Sequence, residues 1–316
     1  MKLPPSAVKP TMYFIGVTTT QSSIMKLFPL WAEELGLDDA VIQGIDIDIH
    51  AEPEVYQRYV EFIKEDPLSM GALVTTHKID LFHAVEESFD YIDPYAKMLH
   101  EVSSISKKDG RLEAHAKDPI TSGLAMEAFI PTDFWKKGGE VFIMGAGGSA
   151  LAISSYLTDK KHGDNLPSKI IISNRSEGRL KSAKELLSKI DTPVNFEYHL
   201  CPNPSENDKI LEKLKPYSLV VNATGLGKDR PGSPLTNQCE FPEQSLVWEL
   251  NYRGELDFMH QAMEQREQKN LIVEDGWIYF IHGWTQVIAE VFQVDISKHF
   301  ENIEKIASDS RTAKVN

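Results

Sequence analysis

Short apolar runs alternate with amphipathic stretches through most of the chain, which is the pattern of an α/β protein with mainly parallel sheets. Met12–Val17 is a nearly continuous apolar run and predicts a buried strand. A polar loop, Thr18–Ser23, follows it. Met25, Leu27, Phe28, Leu30, Trp31 and Leu35 then recur at helical spacing until Gly36. That spacing makes Phe28 and Trp31 core residues. Ala40–Asp46 and Gly71–Thr76 predict two more strands, with a helix over Glu54–Lys64 between them. Val102–Ser106 and Leu112–Ala116 flank Lys107-Lys108-Asp109-Gly110. An Asp-Gly pair between two alternating runs signals a hairpin. A helix is expected over Ser122–Ile130.

From Glu140 the pattern becomes stricter. The apolar strand Val141–Met144 runs into Gly145–Gly148, then a helix over Ser149–Leu157, then a strand over Lys169–Ser173. Further strands are expected at Phe196–Cys201, Ser218–Asn222, Leu246–Leu250 and Leu271–Val273. Six short strands separated by helices predict a doubly wound, Rossmann-type domain. Trp277–Phe292 and the segment beyond it are helical. We therefore expect an N-terminal α/β domain over residues 1–125, completed by helices from 276–316, and a Rossmann domain over 126–275.

Composition narrows the function. With 316 residues, the chain has room for about two domains. Its formal net charge of -14 disfavours nucleic acid, whose phosphates it would repel. Two cysteines, Cys201 and Cys239, make no disulfide framework and no Cys/His cluster. A reducing cytoplasm is expected, and no metal site. Met1-Lys2-Leu3-Pro4-Pro5 lacks the apolar core of a signal peptide, and no run reaches the ~18 residues of a membrane span. The expected partner is a small molecule, and the expected assembly a monomer or homodimer.

Gly145-Ala146-Gly147-Gly148-Ser149-Ala150 carries the strongest chemical signal. It follows a strand and opens a helix, the context a dinucleotide motif requires. Its glycines permit a tight turn and let the backbone approach a pyrophosphate. The helix N-terminus offers unpaired N–H groups and the positive end of a dipole. At the end of the next strand, an acidic residue would accept bonds from a ribose 2′-hydroxyl and favour NAD. This chain has Ser173-Asn174-Arg175-Ser176, with Arg179 one turn on. A guanidinium there pairs with a 2′-phosphate. Asn174, Arg175, Ser176 and Arg179 thus favour NADP, with NAD possible. Asn222-Ala223-Thr224 lies at the carboxyl edge of the same sheet, where ligands bind.

These residues together resemble the shikimate dehydrogenase family, in order and over nearly the whole chain. The resemblance runs through Gly16, Ser22, Val74-Thr75, Lys78, Val102-Ser103-Ser104, Asp118, Gly145–Gly148, Asn174-Arg175-Ser176, Asn222-Ala223-Thr224, Tyr252 and Gly276. It implies a substrate domain and an NADP-binding Rossmann domain with the substrate cleft between them. It also implies hydride transfer between the nicotinamide and a ring hydroxyl of shikimate, quinate or a similar carboxylated polyol. The family's Asn-Val-Thr-x-Pro-x-Lys motif reads here as Leu73-Val74-Thr75-Thr76-His77-Lys78. The Asn is replaced, the Pro is missing and the Lys comes one residue early. The Asn-Thr-Asp triplet is Ala116-Lys117-Asp118, the Ser-x-Ser clamp is Ser22-Ser23-Ile24, and the Asn before Thr is Ser103. The C-terminal Gln falls near Gly283, with Gln286 almost one turn later.

The resemblance makes Lys78 the general acid/base and Asp118 the group that orients it and the hydroxyl. A lysine at its ordinary pKa of ~10.4 is a poor base near neutrality. Partial burial lowers that value and a nearby carboxylate raises it. Ser22, Ser23, Thr75, Ser103, Tyr252 and Gln286 complete the expected substrate contacts. Ser22 and Ser23 equally suit capping of the helix that follows. His77 is left out, because strand alternation would turn it to the opposite face. Two other readings stay open: a quinate or other cyclitol dehydrogenase, and a non-catalytic paralogue that senses a dinucleotide. Replacing Arg175 by alanine is expected to weaken NADP binding far more than NAD binding, measured by titration. Equal loss for both would place Arg175 away from the 2′-phosphate.

Overall fold

The computed structural model describes residues 3–228 and 230–312. The chain divides into two compact units, Met1–Lys117 with Gly283–Asn316, and Asp118–His282.

The first unit is built on a six-stranded sheet. Its elements are β1 (Thr11–Gly16), α1 (Ile24–Glu34), β2 (Val41–Asp46), α2 (Pro53–Glu65), β3 (Ser69–Val74), α3 (Lys78–Val85), β4 (Tyr91–Ile92), α4 (Pro94–Leu99), β5 (Ser104–Lys108) and β6 (Arg111–His115). The strand order is β2-β1-β3-β5-β6-β4. β1 pairs in parallel with both β2 and β3, and β4 in parallel with β6. β5 runs antiparallel to β3 and β6, so this sheet is mixed, with three of its five pairings parallel. The β5–β6 pair is the predicted hairpin. Asp109 and Gly110 turn it at φ 50° and 76°, both left-handed, as a two-residue Asp-Gly turn demands. Phe28 and Trp31 on α1 are buried, as their spacing requires.

The Thr75–Lys78 segment corrects one expectation. β3 ends at Val74 instead of running on to Thr76. Thr76 takes φ 49°, rare for a β-branched residue, and reverses the chain. Lys78 then opens α3, a helix that β-branched Val74-Thr75-Thr76 masked in the sequence. His77 is therefore a turn residue, and strand alternation does not set its direction. It is buried, with its Nδ1 3.1 Å from the Tyr56 hydroxyl.

The second unit begins with α5 (Asp118–Phe129) and continues through β7 (Val141–Met144), α6 (Gly148–Leu157), β8 (Lys169–Asn174), α7 (Glu177–Leu187), β9 (Asn195–Leu200), α8 (Pro204–Leu211), β10 (Leu219–Asn222), β11 (Leu246–Glu249), α9 (Asp257–Lys269) and β12 (Ile272–Glu274). The sheet order is β12-β11-β10-β7-β8-β9, and every pairing is parallel. That is the doubly wound order expected from the sequence, with its reversal point between β7 and β10. Phe142, Met144, Val220 and Val247 from the strands pack against Leu211, Phe258 and Ala262 from the helices on one face. α6 is buried along nearly its whole length. α5, which sequence patterning sets mostly within the first domain up to residue 125, is grouped here with the second unit. The reason is close packing: a Cβ on Gly123 would strike the ring of Tyr156 on α6. Tyr156 in turn donates its hydroxyl to Glu127.

Two more helices follow, α10 (Trp277–Phe292) and α11 (Phe300–Thr312), and the division between units falls within α10. In the first unit, Trp284 packs edge-on against Phe14 of β1 at 4.8 Å, and the indole N–H of Trp31 donates to the Ile303 carbonyl. Among the described residues no helix is long and apolar enough to cross a membrane.

β3 carries a bulge. Thr11 pairs with Ser69 and Met12 with Gly71, leaving Met70 unpaired. Gly71 sits at φ 135°, and a Cβ there would meet the Ile105 carbonyl of β5. Gly71→Ala is expected to cost about 2–4 kcal/mol in denaturant unfolding. Gly110→Ala, which faces open space, should cost only about 1–2 kcal/mol of left-handed strain. Equal costs would mean the β3–β5 contact is loose.

Candidate functional site

In the second unit the cofactor motif follows β7 directly. Gly145 takes φ 110°, a conformation open to glycine, and its N–H donates to the Ser173 carbonyl at 2.8 Å. A Cβ on Gly145 would collide with the Ala223 backbone beyond β10. Gly147 differs in kind. It caps α6 at φ -94°, and nothing lies within 4 Å of where its Cβ would be. Gly145 is thus demanded by packing, whereas Gly147 leaves the α6 N-terminus open to a ligand. Ala146 is buried behind the turn, and Gly148 and Ser149 form the first turn of α6, half-buried.

At the end of β8, Asn174 donates its side-chain amide to the Ser176 carbonyl and hydroxyl at 3.2 and 3.0 Å. This local loop holds Arg175 and Ser176 exposed, and Arg179 is exposed one turn along α7. The guanidinium groups are thus presented beside the Gly-rich turn's neighbouring strand, where a 2′-phosphate clamp is needed.

Asn222 turns out to be a brace. It is fully buried, and its amide donates to Glu249 Oε2 at 2.7 Å and to the Leu226 carbonyl at 3.2 Å. Its Oδ1 accepts from the Thr224 N–H and hydroxyl at 3.1 and 2.7 Å. With these bonds it shapes the Ala223–Gly227 loop, leaving Ala223 half-buried and Thr224 exposed. Glu249, which sequence reasoning missed, anchors the network. Its Oε1 also accepts from the Asn251 N–H and side-chain amide at 2.8 and 2.6 Å. An acidic residue ending a buried strand is the signal that could have marked it. Tyr252 packs with tilted rings against Phe280 and Trp277, at centroid distances of 4.7 and 5.5 Å. Gly276 admits no side chain, because a Cβ would strike the Leu250 carbonyl.

In the first unit, the predicted substrate residues cluster at the carboxyl ends of β1 and β3. A Cβ on Gly16 would meet the methyl groups of Thr19 and Thr75, each at 3.1 Å. Ser22 and Ser23 stand between β1 and α1, both half-buried, and Ser23 makes no side-chain cap. Thr19 instead ties the loop to β2, donating its hydroxyl to Asp46 Oδ1 at 2.7 Å. Thr75 and Lys78 are half-buried on either side of the Thr76 reversal. Ser103 is buried and already engaged. It accepts from the Lys117 N–H at 2.7 Å and donates to the His115 carbonyl at 3.4 Å. Its hydroxyl therefore braces the segment leading to residue 118. Gln286 lies half-buried on α10 in the same unit. Asp118 is the first residue of α5, half-buried, in the second unit.

Burial pushes the Glu249 carboxyl up to about 7, against hydrogen bonds from Asn251 and Asn222 that pull it down. A carboxyl that holds its proton more tightly folded than unfolded stabilises most below its ordinary value of 4.5. That contribution is lost as pH rises to about 7. The unfolding free energy of the wild-type chain relative to Glu249→Gln is therefore expected to fall across this window, by at most about 1.4 kcal/mol per pH unit. A flat difference would mean an unshifted carboxyl.

No family model matches the chain. A curated relative, the shikimate dehydrogenase (NADP(+)) of Lactococcus lactis subsp. cremoris, is 27% identical over 182 residues, covering 57% of this chain and 60% of that protein. The first curated relatives are thus matched over about three fifths of their length. Solved structures match over almost the whole chain. Shikimate dehydrogenase from Aquifex aeolicus superposes with a TM-score of 0.72 at 18% identity, covering 97% of this chain and 99% of that one. Quinate dehydrogenase from Corynebacterium glutamicum, in complex with NAD, gives 0.69 at 18% identity, covering 94% and 98%. The two-unit α/β fold and the strand order of the second sheet are thus shared with these solved structures, and the curated relatives that the sequence resembles are shikimate dehydrogenases.

Proposed function

We propose that the chain is a cytoplasmic, NADP-dependent oxidoreductase that interconverts a ring hydroxyl and ketone on a shikimate-like carboxylated polyol. The observation that carries this is the turn at the reversal point of the second sheet. There a buried glycine is fixed by packing, and the next one leaves a helix N-terminus open. Gly145, Ala146, Gly147, Gly148 and Ser149 would hold the pyrophosphate through backbone N–H groups. Arg175 and Arg179, with Asn174 and Ser176, would take the 2′-phosphate. Ala223, Thr224, Tyr252 and Gly276 would border the nicotinamide, with Asn222 shaping their loop. When bound, the nicotinamide donates or accepts the hydride.

Lys78 and Asp118 are the proposed proton-handling pair. Lys78 moves the hydroxyl proton, and Asp118 orients the hydroxyl and the ammonium. Ser22, Ser23, Thr75 and Gln286 donate to the carboxylate and remaining hydroxyls. A monomer or homodimer suffices for this chemistry.

Specific features favour a relative of shikimate, such as quinate or another cyclitol, as the true substrate. Leu73 is a buried apolar residue where the family motif has Asn. The Ser103 hydroxyl is taken by backbone, and Lys117 is paired with Glu290. Three polar contacts of the family pattern are thus changed or engaged.

Absorbance at 340 nm, with NADP or NAD and a panel of shikimate, quinate and related cyclitols, tests the proposal. Turnover with one member, lowered at least about a hundredfold by Lys78→Ala with cofactor binding intact, is expected. Cofactor binding without turnover across the panel would instead indicate a dinucleotide sensor.

A further inference from the structure

A second cluster of charged groups lies in the first unit, where β6 meets α10. Glu113 and His115 project from the same face of β6, two residues apart, and Glu290 reaches them from α10. The His115 side chain is about nine-tenths buried, and its Nε2 makes no hydrogen bond. That nitrogen points between two carboxylates, 3.4 Å from Glu290 Oε1 and 3.6 Å from Glu113 Oε2. The other ring nitrogen, Nδ1, faces Asp93 Oδ2 at 3.6 Å. Asp93 itself is fixed. Its Oδ1 accepts from the Tyr95 and Ala96 N–H groups and its Oδ2 from Ala116.

With the ring proton on Nδ1 toward Asp93, Nε2 presents a lone pair. Three lone-pair atoms then converge with no hydrogen between them. Burying such a group unpaired is costly. Lys117 does not relieve it, because its ammonium is bound to the other Glu290 oxygen, Oε2. Asp93, Glu113 and Glu290 against Lys117 and Lys108 leave one negative charge in excess around the imidazole.

We propose that this cluster is a divalent cation site, with His115 Nε2, Glu113 Oε2 and Glu290 Oε1 as protein ligands. One ligand atom from each of the three residues lies within 4.8 Å of the other two. Ligands about 2.1 Å from a tetrahedral ion stand about 3.4 Å apart, so small side-chain shifts close the site. One imidazole and two carboxylates suit zinc, with water in a fourth position. Asp93 behind His115 is the carboxylate that orients a metal-bound imidazole. The sequence hides the site because Glu290 is far along the chain from Glu113 and His115. The ion would clamp α10 to the end of β6, three residues before Asp118.

The test is zinc chloride added to chelator-treated full-length protein, in competition with a chromophoric chelator. One tight equivalent is expected, weakened at least about tenfold by His115→Ala and by Glu113→Gln, and unaffected by replacing the exposed His50. Because a core variant can misfold, the ¹⁵N shift of His115 Nε2 in the wild-type chain is followed in the same titration. It should move in proportion to one equivalent of zinc. Zinc bound equally by the variants, or a His115 ring that reads as imidazolium and ignores zinc, would overturn the proposal.

Discussion

The second unit depends on one contact: the backbone of Gly145 against that of Ala223. β7 and β10 are neighbours whose chains leave the sheet in opposite directions. Where they part, the two backbones come too close for any side chain, and only a residue without Cβ can also hold φ 110°. The contact fixes the turn after β7, which aims the α6 N-terminus. It also fixes the loop after β10, which Asn222 and Glu249 hold from below. The open space at Gly147 follows from these constraints.

The cofactor half was legible because its signal is local. Strand, glycine turn and helix are consecutive, and each boundary is marked by a residue type with a physical reason to be there. The Asp109-Gly110 hairpin was legible for the same reason. The Glu249 network was not, because Glu249 meets Asn222 across 27 residues of chain. Nor was the role of Asn222, whose motif suggests a ligand contact while burial makes it a brace. α3 was missed because Thr75 and Thr76 extend the β-branched pattern past the true strand end. The reversal at Thr76 uses a left-handed conformation without glycine to announce it. α4 was missed too, although Asp93-Pro94 is a capping residue followed by a favoured first helical position, and Asp93 does cap.

The first unit shares the backbone framework of the matched solved structures and carries its own polar surface. The carboxyl ends of β1 and β3 still gather Ser22, Ser23, Thr75 and Lys78. Around them, the Ser103 hydroxyl is committed to backbone and Leu73 is a buried apolar residue. Lys117 in the triplet before α5 is turned into the Glu290 cluster. On the proposed function, such changes would keep the reaction type while altering which ring substituents are recognised, since the hydride path would depend on the cofactor and specificity on these contacts.

The most direct test of the central claim is Gly147→Val. No atom beyond its neighbours in the chain lies within 4 Å of the added Cβ, and φ -94° suits valine, so the fold should be untouched. A pyrophosphate seated on the α6 N-terminus would need that space. An unchanged melting temperature with NADP affinity lowered at least about a hundredfold is the predicted result. Full NADP affinity in the variant would mean the dinucleotide does not sit on this turn.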